Sequence, residues 1–310
     1  MINRLIFLVG PTAIGKTGIS FELAKLIDCE IISCDSMQVY RGMNVGTSKP
    51  AKVLLNGIPH HLIDIIDPSQ DFSVASFRDL AVRAIEEIIS RRKTPLLVGG
   101  SGLYVKVLID GIFEAPTTDR ELRERLEQEA EEFGIGILFE RLKKIDPETA
   151  EKVHANDLRR IVRALEVYEK AKAPISQLRK NTTGLAGKYD VRIFGFDMER
   201  PVLYKKIDER VDLMFSEGLV DEARNLMQGK LGLTASQALG YREVFGFLKG
   251  EYDLDEAKRL VKRNTRHFAK RQLTWFRRDK RIEWIILDEN FDTEKVAREI
   301  RERLDKQSLA

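Results

Sequence analysis

The sequence predicts an α/β protein: a parallel sheet flanked by helices, with an all-helical subdomain inserted partway along the chain. Three observations carry this. Over the first third of the chain, short apolar runs alternate with stretches of helical periodicity, the pattern of βα units and a parallel sheet. From about Asp119 to Lys180 the periodicity is helical and no run reads as a strand. An apolar run then returns at Val191-Arg192-Ile193-Phe194-Gly195-Phe196-Asp197.

The first element is the most informative. Leu5-Ile6-Phe7-Leu8-Val9 is a buried strand that runs into Gly10-Pro11-Thr12-Ala13-Ile14-Gly15-Lys16-Thr17. This is G-x-x-x-x-G-K-T between a strand and a helix, the setting of a P-loop, so the sheet is expected to be P-loop NTPase-like. The glycines let the backbone wrap an anion. Loop amides and the helix N-terminus point positive partial charge at phosphate. Lys16 adds a full charge, and the Thr17 hydroxyl is a candidate Mg²⁺ ligand. The motif predicts a bound diphosphate or triphosphate without saying which.

The remaining elements follow in order. Gly18 to Ile27 is a helix with Ile19, Leu23, Leu26 and Ile27 on its apolar face. Glu30 to Cys34 is a second strand, ending at Asp35, and Leu62 to Ile66 a third. Phe72 to Arg92 is a long helix, and Pro95 to Gly99 a strand leading into a glycine loop, Gly99-Gly100-Ser101-Gly102. Helices are expected over 121–133, 137–145 and 158–172, with Pro147 and Pro174 placed to start two more. After the returning strand come helices over 202–250, a long basic helix from Asp253 to about Arg278, a last strand over 283–287 and a last helix over 293–304. The domain boundaries read as 1–115 for the first part of the core, 116–188 for the helical insert and 189–310 for the rest of the core.

Composition narrows the class. Of 310 residues, 43% are hydrophobic, ample for a packed core, and no apolar run approaches the roughly 20 residues of a membrane span. Two cysteines, Cys29 and Cys34, fit neither a zinc pattern nor a disulfide framework. With Met1 leading almost directly into the first strand, the reading is a reduced cytoplasmic protein without a signal peptide. Net charge is only +3, yet eleven basic residues and one acid fall between Lys258 and Arg281. With His267, Phe268, Trp275 and Phe276 interleaved, the segment reads as a nucleic-acid footprint or as a solvated helix face, in equal measure.

Single residues leave alternatives open. Asp35, at the C-terminal end of a strand, suits a general base and equally an Asx-turn. Asp64 and Asp67 are weak candidates for a second Mg²⁺ ligand. Adjacent histidines on an extended segment point to opposite sides, which favours structural roles for His60 and His61 over metal binding.

Taken together, these blocks resemble the tRNA dimethylallyltransferases (tRNA isopentenyltransferases) of the bacterial type. The resemblance rests on Gly10-Pro11-Thr12-Ala13-x-Gly15-Lys16-Thr17, Asp35-Ser36-Met37-Gln38-Val39-Tyr40 and Pro59-His60-His61-Leu62-Ile63-Asp64. It continues through Gly99-Gly100-Ser101-Gly102-Leu103-Tyr104, Arg160-x-x-Arg163-Ala164-Leu165-Glu166, Leu239-Gly240-Tyr241-Arg242-Glu243 and Lys270-Arg271-Gln272-x-Thr274-Trp275-Phe276-Arg277. It spans nearly the whole chain in order. Arg159 departs from the pattern, where relatives often carry Gln, and the eukaryotic type's C-terminal zinc finger has no counterpart.

The resemblance implies transfer of a dimethylallyl group from dimethylallyl diphosphate to N6 of the adenine 3′-adjacent to the anticodon. It implies that the P-loop, Gly10 to Thr17, holds the donor diphosphate with Mg²⁺ at Thr17, and that Arg210 is a second cationic clamp. Thr12, Asp35 and Arg210 become the catalytic residues, with Asp35 taking the proton of the amine. Asp35, Ser36, Met37, Gln38, Ser101, Arg123, Arg160, Arg163, Gly240, Tyr241, Arg242, Lys270, Arg271, Gln272, Trp275 and Arg277 become tRNA contacts. The insert is expected to close on the anticodon stem-loop, and the protein to act as a monomer with no membrane partner. Competing readings are a P-loop nucleoside or nucleotide kinase, a free-AMP prenyltransferase, and a P-loop RNA-binding protein without transfer chemistry.

Overall fold

The computed structural model describes residues 3–50, 57–113, 116, 119–180 and 182–306. Its strands are β1 (Arg4–Val9), β2 (Cys29–Ser33), β3 (His60–His61), β4 (Thr94–Gly99), β5 (Asp190–Met198) and β6 (Ile282–Leu287). They form one sheet in the order β3-β2-β4-β1-β5-β6, every neighbouring pair parallel. β1 is central, and Leu5 to Val9 are all buried. A strand covered on both faces has no polar side to show, which explains the uninterrupted apolar run.

Helices cover both faces. α1 (Lys16–Leu26), α2 (Val74–Ser90) and α3 (Gly102–Asp110) follow β1, β3 and β4. Alternation along β1 divides the core: Ile6 and Leu8 pack with Ile19 and Leu23 of α1, whereas Leu5, Phe7 and Val9 pack with Phe77, Ile85 and Ile88 of α2.

The chain divides into two compact units, residues 110–184 and the remainder. The smaller unit is all-helical: α4 (Arg120–Phe133), α5 (Ile135–Ile145), α6 (Pro147–Lys152), α7 (Leu158–Ala171) and α8 (Ile175–Lys180). Its own core joins Leu122, Leu126, Leu138, Leu142, Ile161 and Leu165. Asp119, Asp146 and Asp157 accept hydrogen bonds from backbone amides at the starts of α4, α6 and α7, satisfying donors that a helix leaves unpaired.

The larger unit resumes with β5 and continues through α9 (Arg200–Ser216), α10 (Leu219–Met227), α11 (Leu233–Ser236), α12 (Tyr241–Leu248), α13 (Leu254–Phe276) and, after β6, α14 (Thr293–Lys306).

One expected strand is misplaced. The third strand is His60–His61, not 62–66. Leu62 and Asp64 take φ of 63° and 54°, left-handed values that no β ladder accommodates. That turn instead hydrogen-bonds to the segment after β2: the Asp64 amide donates to the Gln38 carbonyl, and the Ile65 and Ile66 amides donate to that of Val39. The histidines have protein partners, His60 with the Ile58 carbonyl and His61 with Glu30.

Candidate active site

In an open parallel sheet, ligands bind beyond the carboxyl ends of the strands, where the order reverses. Here the P-loop leaves β1, Asp35 follows β2, and Gly100-Ser101 follow β4. These three strands are neighbours, so three separated motifs meet at one edge.

The P-loop geometry depends on its glycines. Gly10 has φ 151° and Gly15 φ 96°, both unfavourable for a side chain. A Cβ at Gly15 would also lie 2.5 Å from the Phe291 ring. Lys16 turns back over the loop and donates to the carbonyls of Gly10 at 3.0 Å and Pro11 at 2.7 Å. Burial pulls its pKa down to about 7, Arg210 adding to the effect and Asp35 opposing it.

Thr12 is gripped from two helices. Arg210 on α9 donates to its Oγ1 at 2.6 Å, and its backbone amide donates to Gln272 Oε1 on α13 at 2.9 Å. Burial lowers the Arg210 pKa to about 10, against the pull of Asp35. Its Nε is buried without a partner. Arg210 lines the pocket beside the loop, and a guanidinium there suits an anion.

Two cavities meet here. One, of about 440 Å³, is lined by the loop from Thr12 to Thr17, by Ser20, Ser33, Lys49 and Val98, and by Asp35, Thr47 and Arg210. The other, of about 450 Å³, is lined by Met37, Met214, Leu239, Val261 and Phe268, with Arg242 and Arg271, and again by Thr12, Asp35, Thr47 and Arg210. The wall they share therefore consists of Thr12, Asp35, Thr47 and Arg210. Asp35 Oδ1 also accepts the Met37 amide at 2.8 Å, so the Asx-turn and the cavity position are both realised, by one carboxylate with a second oxygen.

The donor atoms of the loop-side cavity fit Mg²⁺. The Thr17 and Ser33 hydroxyls and the Asp35 carboxylate are hard oxygen donors, and Mg²⁺ typically takes one or two protein ligands, with waters and phosphate oxygens completing the shell. Asp64 and Asp67 are otherwise engaged, with Lys49 and with Ser69.

Several expected RNA contacts are placed elsewhere. Tyr241 is fully buried, and its hydroxyl donates to Glu222 at 2.6 Å. Gln272 is buried and uses both ends of its amide, Nε2 donating to the Gly100 carbonyl at 2.9 Å. Gln38 lines the loop-side cavity instead, accepting from Ser33 and donating to the Thr47 carbonyl. Arg123 and Arg163 both bind Glu166, which has no exposed surface and also accepts the Asp119 amide at 2.7 Å. Burial alone would raise the Glu166 pKa, but these hydrogen bonds hold it below the ordinary range.

Others remain available. Asp35, Met37, Ser101, Gly240, Arg242 and Arg271 line the second cavity with the Ser36 backbone, whose amide donates to Ser101 Oγ. Arg160 is 64% exposed beside Asp157, and Trp275 is 39% exposed over Gly102. Lys270 and Arg277 line a separate surface cleft, Arg277 paired with Asp197.

The basic stripe is partly neutralised by acids distant in sequence. Asp212 on α9 pairs with Lys258 and Lys262, and Asp208 with Arg266. Among the described residues, Lys270 and Arg271 have no acidic partner. Sequence reading missed Glu222 altogether. Its carboxylate accepts the amides of Asn44, Val45 and Gly46 and so fixes the loop that carries Thr47 into the shared wall. Only Gly46, which must make room for the Tyr241 ring 2.5 Å from its would-be Cβ, hints at this from sequence.

A family model described as IPP transferase matches residues 38–279. The chain belongs to the IPP transferase family. Members of comparable length resemble it along nearly the whole chain. The tRNA dimethylallyltransferase of Halothermothrix orenii is 47% identical over 303 residues, covering 96% of this chain and 92% of that one. The tRNA dimethylallyltransferase of Carboxydothermus hydrogenoformans is 50% identical over 286 residues, 92% of each chain. Among solved structures, the tRNA isopentenylpyrophosphate transferase of Bacillus halodurans is 42% identical, with a TM-score of 0.72 over 99% of this chain and 98% of that one. A eukaryotic dimethylallyltransferase, described as acting on tRNA, is 28% identical with a TM-score of 0.83, over 99% of this chain and 80% of that one. As a family member the protein is a transferase. No helix among its described residues is long and apolar enough to cross a membrane.

Proposed function

We propose that this transferase moves a dimethylallyl group from dimethylallyl diphosphate to N6 of the adenine 3′-adjacent to the anticodon in tRNA. One observation carries the reading beyond family membership: a phosphate-type cavity and a mixed cavity of similar size share a wall of Thr12, Asp35, Thr47 and Arg210. Donor and acceptor enter from opposite sides and meet at that wall.

The reaction breaks the bond between the allylic C1 and the bridging oxygen, and the electron pair leaves with the diphosphate. N6 forms the new bond to C1, and its proton passes to Asp35, which is in the shared wall and has one carboxylate oxygen not used by the Met37 amide. Charge grows on the departing diphosphate, where the P-loop amides, Lys16 and the Arg210 guanidinium line the cavity and stabilise it. Thr12 Oγ1 accepts from Arg210, which leaves its own proton to donate to the leaving oxygen. The Thr17 and Ser33 hydroxyls would hold Mg²⁺, which would supply Lewis-acid stabilisation of the same charge. The adenine must leave the stacked anticodon loop to reach this wall. Arg242 and Arg271 rim the acceptor side, and Lys270, Trp275, Arg277 and Arg160 are further contacts for the anticodon stem-loop. The protein acts in the cytoplasm as a monomer.

The test offers labelled dimethylallyl diphosphate, labelled ATP and unmodified tRNA in pairs. Label should pass from dimethylallyl diphosphate to tRNA alone. Transfer to free AMP but not to tRNA, or phosphorylation of a small nucleoside by ATP, would replace this reading with one of its competitors.

A further inference from the structure

α13 supplies the acceptor-side cavity with Val261, Phe268 and Arg271. One residue further on, it sends Gln272 the other way, into the protein. Gln272 Oε1 accepts the amide of Thr12 in the P-loop at 2.9 Å, and Nε2 donates to the carbonyl of Gly100 after β4 at 2.9 Å. A Cβ at Gly100 would lie 2.2 Å from Gln272 Nε2, so a side chain there would push the amide from this position. Trp275, one turn along, fills the space over Gly102 in the same way, 2.2 Å from a would-be Cβ.

In a phosphate-binding loop, backbone amides ordinarily face the anion. Here the amide of Thr12 is committed to a side chain from a distant helix, and the hydroxyl of the same residue meets Arg210. Displacing α13 therefore displaces Thr12, and with it the partner of the buried guanidinium. We propose that Gln272 is a positioning residue that ties the donor loop to the acceptor-side helix, so that diphosphate and tRNA bind with linked affinities. The proposal rests on the function assigned above, with tRNA engaging α13 and diphosphate the P-loop. Linkage is reciprocal, since each ligand favours the α13 placement that suits the other.

The test uses inorganic diphosphate and unmodified tRNA, which cannot react with each other. The diphosphate Kd of the full chain is measured by calorimetry with and without saturating tRNA. In the wild type the two values should differ by roughly fivefold or more, within the usual range of coupling. Gln272→Met conserves volume but removes both hydrogen bonds, and should bring the ratio to about one. Gln272→Glu keeps the acceptor for Thr12 but loses the donor to Gly100. It serves as the second variant should the first fail to fold, and its ratio should fall as well. A merely structural glutamine would change stability and leave the ratio alone. A wild-type ratio of one, or a ratio preserved in either folded variant, overturns the proposal. Failure of the wild type to bind diphosphate at all would strike the functional reading instead.

Discussion

Arg210 and Thr12, 198 residues apart, are joined by a hydrogen bond of 2.6 Å from the guanidinium Nη2 to the hydroxyl. The bond brings α9 onto the P-loop and leaves the buried Nε of Arg210 without a partner. The Arg210 guanidinium lines both cavities, and a preorganised donor there gains most when negative charge appears beside it. Arg210→Ala should therefore lower kcat/KM for the allylic donor by about 10²- to 10³-fold, the cost of losing one preorganised donor. Arg210→Lys restores charge without the planar fork and should recover only part of that loss. Steady-state kinetics at saturating tRNA provide the check, and wild-type kcat/KM in Arg210→Ala would remove it from the site.

Asp35 forms a turn and faces both cavities, and one substitution separates the two roles. Asparagine keeps an acceptor for the Met37 amide but has no basicity. Asp35→Asn should lower kcat by about 10²-fold, as loss of a general base does, with tRNA affinity near wild type. A variant that turns over normally at saturating substrates would leave Asp35 only its turn.

Burial brings the Lys16 pKa to about 7, from an ordinary 10.5. A bound diphosphate recruits the ammonium form, so above pH 7 binding must take up a proton. Affinity should fall as pH rises through 7, by up to roughly tenfold per unit. The ligand's own ionisation is common to wild type and Lys16→Met, so the difference between their pH profiles isolates the lysine. The ligand-free fold shows the linked effect. Below pH 7 the lysine is charged in both folded and unfolded chains. Between about 7 and 10.5 only the unfolded chain retains the proton, so this group's contribution to stability rises with pH across that window. Calorimetry from pH 6 to 9 tests the binding, and parallel profiles would refute it.

The sheet was legible wherever burial is two-sided, as at β1, because continuous apolar runs have one simple explanation. The P-loop and the β4 glycine loop were legible because positive φ and close approach demand glycine at fixed spacings. Loop 62–66 was not, because an apolar run does not report left-handed residues fixed by hydrogen bonds to a distant segment. The site shows the same division. Motifs picked out Thr12, Asp35 and Arg242, which line a cavity, but motif membership does not report which residues face a cavity and which are buried. Tyr241 and Gln272 lie in matching blocks and are buried; Glu222 belongs to none and fixes the Thr47 loop.

Arg163 shows how that distinction can be measured. With Arg123 it balances Glu166, which has no exposed surface. Arg163→Ala leaves the carboxylate one partner short and should destabilise the helical unit by about 1 to 3 kcal/mol. Thermal unfolding should register the loss, and tRNA affinity of the folded variant should stay within about twofold of wild type. A large loss of affinity at unchanged stability would return Arg163 to the RNA surface.

The basic stripe offers an internal control, because its charges are not equivalent. Lys258 and Lys262 are paired with Asp212 at 2.9 and 2.7 Å, whereas Lys270 and Arg271 have no acidic partner among the described residues. A cation already neutralised by a carboxylate displaces few counterions from RNA. Reversing Lys270 and Arg271 together should reduce the slope of log affinity for tRNA against log salt by about one to two units, each phosphate contact contributing roughly 0.7 to 0.9. Reversing Lys258 and Lys262 together should leave the slope nearly unchanged and lower stability instead, since Asp212 then faces like charge. Neither change should alter diphosphate binding in the absence of tRNA, because none of the four residues lines the P-loop cavity. Dissociation constants over a salt series, for wild type and the two double variants, separate these outcomes. Equal slopes in all three would show that tRNA does not track this helix. A slope lost only with Lys258 and Lys262 would show that Asp212 releases its partners to the RNA.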